Sequence, residues 1–349
     1  MTDILSPFAY LCGQPTAKAK LKAKHEHFRV IENLGYELSG HGEHWMVRIR
    51  KTGENTSFVA NELAKACGVT SKDVSWAGLK DRHAVTEQWF SVYLPGGEEP
   101  DLSGFLQEHT TIEVLDTARH HKKLRPGDLQ GNAFEVVLSE VTNVEDVLAR
   151  LAIVKEQGVP NYFGSQRFGR EGNNLHEARR WGRNNVRTRN SNKRSMYLST
   201  ARSWIFNHIL SKRIELGLFE QVIVGDIVQQ QNGETTLVDE ASLASIQSSV
   251  NSEQAVITAA LAGDNALPTQ GKALDIEQAC IDQEGDLMAL IRGNRMRHDR
   301  RGVSLRAQNF HWSVDNDMIT LKFELDSGSF ATAITRELIE EIPVERQYD

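Results

Sequence analysis

Cysteine is scarce in this sequence: Cys12, Cys67 and Cys280 are the three in 349 residues, far apart and with no C-x-x-C pair. That fits a reducing cytoplasm better than a disulfide framework or a zinc ribbon, and leaves each thiol reading as a small buried hydrophobe. Long apolar runs are missing as well. Nothing approaches the length of a membrane span, and Met1-Thr2-Asp3-Ile4 opens nothing like a signal peptide. The expected location is therefore cytoplasmic, with no membrane partner. No Walker A loop, dinucleotide fingerprint or metal-ligand spacing is present, which is consistent with a reaction that uses neither cofactor nor metal. Gly40-His41-Gly42 is not a nucleotide-binding loop, His25-Glu26-His27 is too short for a zincin helix, and His120-His121-Lys122-Lys123 reads as solvated.

A strongly basic balance is also lacking. The formal charge of −7 argues mildly against a nucleic-acid partner, but local potential matters more than the sum. Between Asn161 and Ser195 only Glu171 and Glu177 oppose a long series of arginines that includes Arg167, Arg170, Arg179 and Arg183. A second basic group runs from Arg292 to Arg306 around Asp299, while acidic residues collect at Glu98-Glu99 and from Glu337 to Glu345. Charge segregated in this way suits a phosphate backbone gripped on one face; a solvated helix face is the plainer reading of the same arginines.

The N-terminal half reads as α+β. Trp45, Val47 and Ile49 alternate with Met46, Arg48 and Arg50 as a half-buried strand. A helix follows from Asn55 or Thr56, with Val59, Leu63, Ala66 and Cys67 as its stripe and Gly68 as its stop. Phe134, Val136 and Leu138 share one strand face after Gly131, and Val144 to Val154 repeat at helical spacing until Gly158-Val159-Pro160. Beyond Pro160 come helices, one around Leu198 to Leu216, and a hairpin turning at Asn232-Gly233. A polar middle from roughly Ser245 to Thr269 carries no usable signal. Helical pattern then runs to Arg297, alternation returns at Ile319 to Leu325, and a helix from about Phe330 closes the chain.

Gly78-Leu79-Lys80-Asp81-Arg82-His83-Ala84-Val85-Thr86-Glu87-Gln88 sets one carboxylate in a charge-dense loop between two strand-like segments, Val74 to Ala77 and Trp89 to Leu94. A carboxylate on a loop held by two strands is well placed for chemistry; the same residues also read as a neutralised surface turn. The string resembles the signature of the TruD family of tRNA pseudouridine synthases, in which a Gly-x-Lys-Asp loop carries the catalytic aspartate. Lys22-Ala23-Lys24 with Phe28-Arg29-Val30-Ile31-Glu32, then Gly131-Asn132-Ala133-Phe134, then Asn161 to Gly169, resemble the same family in its order. Gly328-Ser329-Phe330-Ala331-Thr332 is a weaker match.

The resemblance implies a mixed, largely antiparallel pseudouridine-synthase catalytic sheet with helices, interrupted by a family-specific α/β insertion. Its expected bounds are 1–157 and 306–349 for the catalytic part and 158–305 for the insertion. It implies isomerisation of uridine 13 of tRNA to pseudouridine, without cofactor, by an ionised aspartate, here Asp81. The family sets a lysine from the N-terminal strand against that aspartate; alignment on Phe28 and Glu32 makes it Lys22, with Lys24 the alternative. Phe134 resembles the residue that stacks on the target uracil, Asn132 would bond the base edge or ribose, and Phe28 and Phe330 would pack around the nucleotide. Each phenylalanine otherwise reads as core, and Asn132 as a turn residue. Lys80, Arg82, Arg167 and Arg170 are candidate RNA contacts; as neighbours in extended chain, Lys80 and Arg82 would point away from Asp81. Asn161 to Gly169 reads equally as a hinge or as a loop lining the RNA cleft. The chain is expected to act alone, as a monomer on tRNA. The rival reading is a non-catalytic RNA-binding protein of the same fold; a metal-dependent hydrolase built on His25, Glu26 and His27 has nothing beyond residue type behind it.

Overall fold

The structure, a computed structural model, describes residues 4–345. The chain forms two compact units, each assembled from separate stretches. One unit takes Pro15–Leu151, Ala307–Ala331 and Leu338–Asp349; the other takes Met1–Gln14, Ala152–Arg306 and Thr332–Glu337.

The first unit is built on a ten-stranded sheet. Its spine runs, from edge to edge, through Gln308–Asp315, Met318–Asp326, Gly131–Ser139, Phe28–Asn33, Val85–Tyr93, His44–Thr52 and Ile112–His120. Lys18–Leu21 adds to the Gly131 strand and, in parallel, to Glu340–Ile342; Val74–Trp76 adds to the Val85 strand. Apart from that parallel pair and the Phe28–Val85 pair, the described ladders are antiparallel, so the sheet is mixed and largely antiparallel, as expected.

Period-two patterning makes these strands. Along Phe28–Asn33 burial alternates without a break: Phe28, Val30 and Glu32 face in, Arg29, Ile31 and Asn33 face out. In His44–Thr52 the inward series is Trp45, Val47, Ile49 and Lys51. The apolar members pack with Val59 and Leu63 of the helix Thr56–Ala66 and with Phe90 and Val92. Each such side chain withdrawn from water contributes roughly 1.5–3 kcal/mol. Two charged residues, Glu32 and Lys51, therefore sit where apolar ones belong. The Gly131 strand lies so close to the Met318 strand that a Cβ at Gly131 would stand 2.3 Å from the Leu325 carbonyl oxygen.

The second unit has an antiparallel four-stranded sheet in the order Thr235–Leu237, Ile227–Gln230, Ala255–Leu261, Asp299–Gly302. The hairpin turns at Asn232-Gly233, as its sequence indicates. Helices Asn173–Arg183, Ser191–Glu215, Gly271–Asp282 and Gly285–Gly293 share a core that includes Phe168, Trp204, Phe206, Leu287 and Ile291. The polar middle holds more order than its composition suggests: Leu243–Asn251 is a helix, and Ala255–Leu261 is a central strand.

Candidate active site

The loop Gly78–Ala84 joins two antiparallel strands of the first unit, registered Val74 to Val92 and Trp76 to Phe90. Polar side chains hold it in one shape. The Lys80 N–H donates to Thr56 Oγ1 at 3.0 Å, Thr56 Oγ1 donates to Gln88 Oε1 at 2.9 Å, and Gln88 Nε2 donates to the Gly78 carbonyl at 3.1 Å. Both Thr56 and Gln88 are buried. The Lys80 ammonium turns inward to the Glu32 carboxylate at 2.8 Å, and the other Glu32 oxygen accepts the Trp89 N–H at 3.0 Å. Lys80, expected at an RNA contact, is thus committed to a buried partner, because a carboxylate on the inward face of a strand needs a counter-charge.

A second ammonium grips the same loop. Lys51 is fully buried, and its Nζ donates to the carbonyls of Glu54 at 2.7 Å and Asp81 at 3.2 Å. Burial pushes this group down to about 8, against the attraction of Asp81. Sequence reasoning stopped at Arg50 and missed it. The signal was there: period two continues Trp45, Val47, Ile49 onto Lys51.

Asp81 itself is 29% exposed, and the Lys22 Nζ donates to its Oδ2. Lys22 follows the strand Lys18–Leu21 in the left-handed region, φ +57°, a conformation disfavoured for a lysine and held here by its surroundings. Burial alone would raise the Asp81 pKa, but the Lys22 charge and hydrogen bond, helped by the His83 backbone N–H, hold it below the ordinary carboxylate value. The carboxylate is ionised at neutral pH. Lys24 is exposed at the start of the turn His25–His27, so of the two lysines Lys22 is the one at Asp81. Arg82 does point away from the carboxylate, donating to the Gly53 carbonyl at 3.2 Å.

From Lys22 the contacts run on. Its ammonium stands 4.2 Å above the Phe28 ring, Phe28 meets Phe134 edge-on at 6.2 Å, and Phe134 stacks on Phe323 at 5.3 Å. Asn132, two residues before Phe134, shares its face of the strand and lies opposite Glu32. Its Oδ1 is buried with no hydrogen-bond partner among the described residues. An acceptor left in that state costs roughly 1–3 kcal/mol. Asp81, Lys22, Phe28, Phe134 and Asn132 are therefore brought to one side of one sheet. Phe330 is not part of that chain of contacts; it is 41% exposed ahead of the helix Ala331–Leu338. A concavity of about 250 Å³ in this unit is lined by Arg29, Ile31, Glu135, His311 and Lys322. By the pleat those five face away from Asp81, and Phe134 and Phe323 also border the concavity.

Arg167 and Arg170 belong to the second unit. Arg170 is exposed; Arg167 is half-buried and donates to Ser199 Oγ at 3.0 Å. The sequence segregates basic from acidic residues, but the fold reunites many of them. Arg179 meets Glu284 at 2.8 Å, Arg183 meets Asp286 at 2.7 Å, Arg300 meets Glu277 at 2.9 Å and Arg306 meets Glu220 at 2.6 Å. A cationic face cannot be read from those residues by sequence alone. Among the described residues no three of His, Cys, Asp and Glu converge as metal ligands, and no helix is long and apolar enough to cross a membrane.

The family model for tRNA pseudouridine synthase D (TruD) matches residues 5–181 and 173–338. A protein of Vibrio cholerae named tRNA pseudouridine synthase D is 68% identical over 355 residues, covering 100% of this chain and 96% of its own. Its namesake in Vibrio campbellii is 66% identical over 348 residues, covering 100% of both chains. Among solved structures, that of a candidate tRNA pseudouridine synthase D from Methanosarcina mazei superposes with a TM-score of 0.76 at 23% identity, covering 95% of each chain. The fold has thus been kept where most of the sequence has changed.

Proposed function

Since the chain belongs to the tRNA pseudouridine synthase D family, a family of isomerases, we propose that it converts uridine 13 of a subset of tRNAs to pseudouridine, with Asp81 as nucleophile and no cofactor. In that reaction the bond from N1 to C1′ breaks, the base turns, and a bond from C5 to C1′ forms. A proton leaves C5 and one is taken up at N1, so the product is an isomer and no redox equivalent is needed. Attack on C1′ and attack on the uracil ring both require an ionised carboxylate.

The ion pair between Lys22 and Asp81 carries the proposal. It supplies the charge state the nucleophile needs, on a loop fixed by Thr56, Gln88, Lys51 and the Lys80–Glu32 pair. The uncommitted Oδ1 of Asn132 suits the N3–H of a uracil, and Phe134 offers a ring for the base to stack on. Phe28 and Phe330 complete the surround. On this reading the protein works in the cytoplasm, as a monomer, with tRNA as its partner.

The rival, a module that binds RNA without chemistry, has no use for Asp81. An ionised carboxylate repels a phosphate backbone, and holding one partly buried requires a dedicated lysine. The deciding experiment incubates purified protein with unmodified tRNA in EDTA, without added cofactor, and maps pseudouridine for wild type and Asp81→Asn. Product at one uridine from wild type alone supports the proposal. No product across a full tRNA pool, with RNA binding retained, favours the module.

A further inference from the structure

Within the second unit, the arginines withdrawn from solvent nearly all have a carboxylate at hand, as Arg179, Arg213 and Arg300 do in Glu284, Asp226 and Glu277. Arg202 makes no ion pair among the described residues but donates to two carbonyls and feels Asp299. Arg167 and Arg301 are different. Neither has an acidic partner among the described residues; burial lowers the Arg167 pKa, and Arg301 is buried within the field of Arg167. Burial, then the charge of Arg167, push the Arg301 guanidinium down to about 10.

The two are held in place by a dedicated framework. Arg301, on the strand Asp299–Gly302, stands 4.2 Å above the Phe163 ring and donates to Asn161 Oδ1 at 2.7 Å; Asn161 Nδ2 in turn donates to the Gly302 carbonyl at 2.9 Å. Arg167 lies 5.4 Å from the centre of the same ring and is held at its backbone by Thr200 at 3.1 Å. Asn207, buried in the long helix, clamps the Phe163 backbone from both sides, at 2.9 and 3.0 Å. A guanidinium has five N–H donors. Arg167 commits one, to Ser199, and Arg301 commits two, both to Asn161, so most donors of both remain open.

Two like charges, partly desolvated, stacked on one ring and rich in unused donors, form an arrangement suited to an anion. Planar forks of this kind match the paired oxygens of a phosphodiester. We propose that Arg167 and Arg301, seated on Phe163, form a subsite that grips a backbone phosphodiester of the RNA. This rests on the tRNA reading above and deepens it, since it places an RNA contact in the second unit and gives the Asn161 to Gly169 motif a role beyond that of a connector.

The test uses the full chain. Affinity for unmodified tRNA is measured against salt concentration for wild type, the double variant Arg167→Gln/Arg301→Gln, and the control Arg183→Gln, which removes an exposed arginine already paired with Asp286. The double variant is expected to bind about tenfold or more weakly near 0.1 M salt, with a log–log salt slope shallower by about one, and the control to match wild type. Unchanged affinity and slope in the double variant would overturn the subsite. In case that variant fails to fold, a second measurement uses wild type alone: modification of arginines by phenylglyoxal, read by mass spectrometry. Protection of Arg167 and Arg301 by tRNA, and not by inorganic phosphate at equal ionic strength, supports the proposal; no protection, or equal protection by phosphate, overturns it. A wild type that makes pseudouridine while leaving both arginines unprotected loses the subsite only. One that binds no tRNA loses the parent reading and the subsite together.

Discussion

Lys22 and Lys51 take hold of Asp81 at two different places, one at the carboxylate and one at the backbone carbonyl. Their removal should therefore leave distinct marks. With Lys22→Met, burial becomes the dominant influence and the Asp81 pKa rises. The acid limb of kcat/KM is then expected to move up by at least one pH unit, and the rate at pH 7 to fall about a hundredfold, with Lys22→Arg restoring the limb. An unmoved limb would remove Lys22 from the role assigned to it. Lys51 governs the alkaline side. Burial and Lys80 disfavour its charge, Asp81 and Glu54 favour it, and the balance lies near 8. Activity is expected to decline as pH rises through about 8, and to persist to higher pH in Lys51→Arg. Stability runs the other way. A lysine whose pKa is lowered on folding is less protonated in the folded state than in the unfolded, so stability rises between about pH 8 and the unfolded value near 10.5. Rate and thermal midpoint moving in opposite directions over that window would separate a lost tie from unfolding. Resemblance located Lys22, whereas Lys51 was legible only as a parity violation, a charge on the core face of a strand.

The strand elements have conflicts of their own. Glu32→Gln would leave the Lys80 ammonium buried without its counter-charge, and denaturant titration is expected to show a loss of about 3–5 kcal/mol. The double variant Glu32→Leu/Lys80→Met removes both charges and should recover much of that loss; equal destabilisation would mean the pair is not the source. Gly131→Ala puts a methyl group against the Leu325 carbonyl, where the two strands must part, at an expected cost of about 1–3 kcal/mol. A shift of less than half that in the unfolding midpoint would show that the strands open freely there. Several strands were not legible, two of them for opposite reasons. Gln308–Asp315 is an edge strand with Phe310 its one buried residue, so burial imposes almost no alternation on it. Ala255–Leu261 errs in the opposite sense, being covered on both faces around Ile257 to Ala260, and small alanines in a polar neighbourhood conceal it. A strand buried on one face only, such as Met318–Asp326, was plain from the alternation of Ile319, Leu321, Phe323 and Leu325.

Across the whole molecule, the two units interleave along the chain. Sequence reasoning cut it at 157/158 and 305/306; the compact units divide at 151/152 and 306/307, and the short stretches Met1–Gln14 and Thr332–Glu337 cluster with the middle of the chain. A dozen residues at a terminus carry no periodicity that would announce this. The sheet of the first unit needs both halves, because Met318–Asp326 pairs with the Gly131 strand from Gly131 to Leu138. A fragment ending at Arg306 should therefore show no protected amides in Gly131–Ser139 by hydrogen exchange, while the intact chain protects them. Protection in the fragment would mean that the remaining strands suffice.

The same pairing fixes an order of events at the ribosome. Gly131–Ser139 is translated long before its partner, and at ordinary elongation rates the gap of nearly 180 residues lasts roughly 10–35 s. Throughout that interval one edge of the strand has no native neighbour. A nascent chain with an open edge for so long is exposed to foreign strands, so the yield of this protein should depend on translation speed and on chaperones that shield edges until Met318–Asp326 emerges.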